Sequence, residues 1–143
     1  MERAEAFLQQ EVLSASPSKL RLLLIEKAYG LSEVVSQLWS SPQPQQGDQW
    51  MLRIQEIIGE LLAGVTDRDN PIATAVSDLY IFLIQIAAET AQGRDLEGLA
   101  TIRDILDIER ETWRLRAAQD LHGNDQTLHA DHAANVEGFD LVS

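Results

Sequence analysis

The chain has 143 residues, no cysteine, and 23 acidic against 11 basic side chains, a formal net charge of −12 at pH 7. A chain of that length holds one domain with its own core. The charge balance excludes the basic stripe needed by phosphate backbones and anionic membranes, so nucleic acid and membrane are not expected partners, and the missing cysteines exclude disulfides, thiolate catalysis and Cys-based zinc sites.

The N-terminus, MERAEAFLQQEV, carries charge throughout and has no apolar region of the secretory kind. It is expected to form a short helix or segment, Met1 to Gln10, lying across the rest. A first long helix is expected from Ser16-Pro17 to near Trp39. Serine can cap the free N–H groups there, and proline at the first helical position has no N–H to leave unbonded. Leu20, Leu24, Leu31, Val35 and Leu38 recur along it at helical spacing, as a core stripe would. The polar, Pro- and Gly-containing SSPQPQQGD marks the loop that ends it.

A second helix is expected from Gln49 to Val65, capped by Asp48, with a stripe through Trp50, Ile54, Ile57, Ile58, Leu61 and Val65. After a turn at TDRDN, Asn70-Pro71 repeats the cap-then-proline pattern. The third helix carries Ile72, Val76, Leu79, Leu83 and Ile86, with Gly93 as its stop. Its DLYIFLIQIAAET is the longest apolar run. Gln85 interrupts it, short of the roughly 20 residues that span a bilayer. The fourth helix is expected from Asp95 to Ala118, with Leu99, Ile102, Leu106 and Trp113 inward. Four helices joined by short loops predict an all-α, antiparallel up-down four-helix bundle. The bundle is expected over residues 1–119. Residues 120–143, acidic and His-containing with no Lys or Arg, are expected to form a mobile tail.

No arrangement of residues suggests catalysis. A di-iron bundle needs Glu-x-x-His on two helices, and all three histidines, His122, His129 and His132, lie beyond the fourth helix. The spacing of His129 and His132 could place both on one metal, but a solvated tail explains them as well. Glu26, Asp78 and Glu89 lie at the edges of apolar faces, where nothing would desolvate them into general acids. There is no phosphate-cradling Gly-rich loop and no Gly-x-Ser-x-Gly elbow. No enzyme activity, metal or cofactor is expected.

The informative feature is surplus apolar surface. On the first helix Leu22, Ile25 and Tyr29 form a second stripe beside the one through Leu20 and Leu24. On the third, Ala75, Leu79, Phe82 and Ile86 widen the apolar arc, with Ile81 and Ile84 filling gaps. A helix apolar nearly all round is central in a core or touches something beyond it. That something is the N-terminal segment, a second copy of the chain, or a partner's amphipathic helix in a groove.

Four stretches resemble, in order, the flagellar export chaperone family FliS. FLQQEVLSASPSKLRLLL is similar to its opening. RIQEIIGELLAGV is similar to its second helix, and AVSDLYIFLIQIAAET to its Leu-Tyr-x-Tyr/Phe third helix. LEGLATIRDILDIERETWRLRA is similar to its Leu-x-x-x-Arg-x-x-Trp fourth helix. The resemblance covers about residues 5–118. The chain departs from the family pattern at Ile25-Glu26-Lys27, where Tyr-Asp-Gly is usual, and at Phe7, Ile54 and Ile84-Gln85-Ile86.

The resemblance implies a cytoplasmic helical bundle that binds the C-terminal segment of flagellin, prevents premature polymerisation and aids export. Export-apparatus components or a co-chaperone are further implied partners. Phe7, Val12, Leu13, Leu22, Ile25, Tyr29, Leu62, Tyr80, Leu83 and Ile84 are the expected groove residues. In the family the N-terminal segment can cover that surface, which implies a gating role for Phe7, Val12 and Leu13. The alternative expectation is a bundle that homodimerises through the same surface, as an adaptor or regulator, and binds no flagellin.

Overall fold

The computed structural model describes residues 16–66 and 70–127. They form four helices, α1 (Pro17–Trp39), α2 (Asp48–Ala63), α3 (Pro71–Gly93) and α4 (Leu96–Thr127), with a 3-10 turn at Pro44–Gly47 and no strand among the described residues. Each helix packs on the next, and α4 returns against α1. With such short connections this ring of contacts is the expected antiparallel four-helix bundle.

Local chemistry starts α1 and α3 as the sequence suggests. Ser16 Oγ accepts the Lys19 N–H at 3.2 Å, and Asn70 Oδ1 accepts the Ile72 N–H at 2.8 Å, each with proline just inside the helix. Such caps satisfy donors that have no partner within the helix.

The start of α2 differs. Its N-cap is Gly47, which makes no side-chain bond, and Asp48, the expected cap, is the first helical residue. The Asp48 carboxylate is engaged elsewhere. Its Oδ1 accepts from Trp39 Nε1 at 3.1 Å and from Arg94 Nε at 3.0 Å, and its Oδ2 accepts from Arg94 Nη2 at 2.7 Å. One carboxylate thus ties the end of α1, the start of α2 and the α3–α4 turn. The hydrogen-bonded Arg94 guanidinium holds the Asp48 carboxyl below its ordinary range.

The turn at the end of α3 also differs from expectation. Gly93 is the last helical residue, and the left-handed position falls to Arg94 at φ 46°. Non-glycine residues occupy that region at a cost. The bidentate contact to Asp48 compensates by fixing the Arg94 side chain where the turn needs it. At its other end α4 runs to Thr127, through the expected boundary at 119/120. Arg116 pairs with Asp120 at 2.9 Å, and Ser18 Oγ at the head of α1 donates to Asp120, so residues beyond Ala118 still pack on the bundle. The N-terminal segment and residues 128–143 lie outside the described residues.

The core is a seam of Ile25 and Val35 from α1, Met51, Ile54, Ile57 and Leu61 from α2, Tyr80 and Leu83 from α3, and Leu99, Ile102 and Leu106 from α4. On α2 the inward residue near the start is Met51, while Trp50 is exposed. A polar cluster crosses this core. The buried Arg21 donates from Nη1 to the Leu61 carbonyl at 2.8 Å, and its guanidinium stacks 5.2 Å from the Tyr80 ring and 5.1 Å from the Trp113 ring. Tyr80 Oη donates to Glu109 Oε1 at 2.6 Å, and Trp113 Nε1 donates to the same oxygen at 3.4 Å. Burial, then the Glu109 charge, pushes the Tyr80 phenol far above its usual range, so it stays a donor. Residues from all four helices meet in this cluster, which restricts the registers at which they can pack.

Candidate partner-binding surface

The helix whose burial is most at odds with its composition is α3. Its inward positions are Ala73, Ser77, Tyr80, Leu83, Ala87 and Thr90, of which only Tyr80 and Leu83 are large. Four of its other large apolar residues are exposed. Ile72 is 54% exposed, Phe82 47%, Ile81 42% and Ile84 36%. Alone among the described helices, α3 is long and apolar enough to cross a membrane on length and composition, yet only 28% of its most apolar stretch is buried. The expectation that no run approaches a span is corrected to that extent, since Gln85 does not lower the average enough. Core helices of soluble proteins that pass the same test are mostly buried; α3 is not.

Ala73, Ser77, Ala87 and Thr90 take most of its inward positions, so most of its larger side chains lie on the flanks or outside. Ile72, Ala75, Leu79, Phe82 and Ile86 recur at spacings of 3, 4, 3 and 4, a seam of about four turns, or roughly 21 Å. Ile72, Ala75 and Phe82 are exposed, and Leu79 and Ile86 are half-buried. On the opposite flank Ile81, Ile84 and Ala88 form a shorter exposed row. Ile86 packs at the edge of the core, and no helix among the described residues covers Ile72, Ala75, Phe82 or the shorter row.

The expected groove residues divide into three groups. Ile84 is exposed on α3, and Tyr29 and Leu62 are half-buried. Arg103 and Arg110 of α4 lie over the Tyr29 ring, at 5.3 and 4.2 Å from its centroid. Leu22, Ile25, Tyr80 and Leu83 are buried in the core, so the expectation that they offer groove surface is corrected. The inward face of α1 draws on both stripes. Leu31 and Val35 of the first and Leu22 and Ile25 of the second are buried, in line with Arg21, Ala28 and Ser32, while Leu20, Leu24, Leu38 and Tyr29 are half-buried. The buried Arg21, held by the Leu61 carbonyl and the Tyr80 and Trp113 rings, fixes the face between the two stripes inward. Phe7, Val12 and Leu13 lie outside the described residues.

Leu20 and Leu24 line a shallow cleft of about 230 Å³ with Pro17, Arg21, Glu60, Leu61 and Gly64, between the start of α1 and the end of α2. The signal for the α3 seam was present in the sequence: the 3-4-3-4 spacing is there, but Ile72, Leu79 and Ile86 read as core because nothing local distinguishes an inward stripe from an outward one. Among the described residues no group of three or more His, Cys, Asp or Glu side chains could hold a metal ion.

Residues 1–120 match the family model described as Flagellar protein FliS. No curated protein and no solved structure matches the chain.

Proposed function

We propose a flagellin-chaperone function from a premise that the family match supplies: the chain belongs to the flagellar protein FliS family. On this reading it is a cytoplasmic export chaperone without catalytic activity. It covers the C-terminal segment of flagellin, which would otherwise polymerise, and releases it for export.

The observation that supports this reading is the apolar seam on α3, whose Ile72, Ala75 and Phe82 are exposed and which no helix among the described residues fully covers. A segment that turns helical on binding needs a groove or row at helical spacing, and the seam offers about four turns of it. Covering the exposed parts of Ile72 and Phe82 contributes on the order of 1 kcal/mol each. Ordering an unfolded segment consumes much of such a gain, which leaves an affinity compatible with release.

The test is co-expression with flagellin, full length and lacking its C-terminal segment. A complex that forms only with the full-length protein is the expected result. Equal recovery of both, or of neither, rejects this reading.

A further inference from the structure

The acidic groups beside the α3 seam bear on what its partner looks like. Helix α3 contains no Lys or Arg, and its two charged residues are Asp78 and Glu89. They lie eleven residues apart, three turns or about 16 Å, with a net rotation of only about 20°, so they share one edge of the helix. Phe82 lies between them along the chain, and Ala75 and Phe82 border that edge on the seam side. Asp78 and Glu89 are both exposed, and neither takes part in any ion pair among the described residues. On α4, Asp107, Glu111 and Asp120 each pair with an arginine, while Glu97 and Asp104 make no ion pair among the described residues. Among the described residues, the seam therefore has an apolar centre and one edge whose two charges are both negative and make no ion pair.

We propose that this surface selects an amphipathic partner helix whose apolar face is edged by Lys or Arg about three turns apart, and that Asp78 and Glu89 are its specificity-determining residues. This rests on reading α3 as the partner surface. Charges at the rim of an apolar contact steer encounter and reject wrongly charged partners more than they add raw affinity. A second copy of the chain fits poorly, because it brings the same acidic edge and a further net charge of −12. An anionic membrane fits poorly for the same reason.

The test uses two labelled 18-residue helical peptides with the same leucine seam. One carries Lys at two edge positions eleven apart, the other Glu at those positions. In low salt the Lys-edged peptide is expected to bind the full chain about tenfold tighter than the Glu-edged one. That preference is expected to shrink to about twofold in 0.5 M NaCl and in the double variant Asp78→Asn with Glu89→Gln. The double variant Glu56→Gln with Asp104→Asn removes the same charge from outward faces of α2 and α4, and is expected to keep the preference.

Equal binding of the two peptides overturns the proposal. So does equal loss of preference in both double variants, which would trace it to net charge alone. A stable dimer that excludes both peptides, or a seam that takes up phosphatidylcholine vesicles and neither peptide, overturns it as well. Flagellin measured alongside separates the two readings. If flagellin binds and the peptides show no preference, the edge proposal fails and the chaperone reading stands. If the Lys-edged peptide is preferred and flagellin does not bind, the chaperone reading fails and the edge chemistry stands.

Discussion

Gly47 lies against the Trp39 indole. A Cβ there would meet Trp39 Cδ1 at 2.8 Å and Nε1 at 3.0 Å. The indole is fixed between the core and Asp48, so Gly47→Ala must displace it. A cost of about 1–3 kcal/mol is expected, seen as a thermal midpoint lower by roughly 3–10 °C. Tyr80→Phe removes the 2.6 Å donor from the buried Glu109 and leaves it the long Trp113 contact. Denaturant unfolding should show a loss of about 1–3 kcal/mol, the cost of a buried polar group without its partner. The caps at Ser16 and Asn70 were legible from the sequence because a cap is decided within four residues. The roles of Gly47, Tyr80 and Arg94 were not, because their partners lie 8, 29 and 46 residues away.

At the scale of the helix, the contrast between α1 and α3 separates core from surface. Ile25→Asp places a charge in a fully buried position and should unfold the chain, so circular dichroism should show lost helicity at 25 °C. Phe82→Asp alters a half-exposed position, gives up its buried half and sets a like charge one turn from Asp78, so a cost of about 1–2 kcal/mol with the fold retained is expected. On the proposed reading it should also lower flagellin affinity at least about tenfold, measured by calorimetry, through lost apolar burial and a third negative charge on the seam. Retained affinity in a folded Phe82→Asp protein would place the partner elsewhere. The helices themselves were legible from period and caps. Their inward faces were not, since both carry apolar residues around most of their circumference.

For the whole molecule, one carboxylate links three segments, and its titration should be visible. The folded state holds the Asp48 carboxyl below its ordinary value. Its stabilisation is therefore present above the unfolded pKa near 4 and is lost as pH falls through the lower folded value. Between pH 5 and pH 2 the wild-type melting temperature should fall more steeply than that of Asp48→Asn. Parallel curves would show that the Arg94 contact does not persist in solution. The extended α4 belongs to this scale too. Its pairing of Asp120 with Arg116 and Ser18 carries the bundle past the expected boundary, and no composition shift signals that.

Length, charge, helical period and the two cap-then-proline starts by themselves determined an acidic four-helix bundle and its chain order, and the order of four motifs determined the family resemblance. These are local or additive properties, readable one segment at a time. Only the tertiary structure decided which faces turn inward. Small residues at most inward positions of α3, and the Arg21–Tyr80–Glu109 cluster that needs partners from every helix, outweigh a simple count of leucines. That choice buries Leu22, Ile25, Tyr80 and Leu83 and leaves Ile72, Ala75 and Phe82 of the α3 seam as apolar surface that no described helix covers.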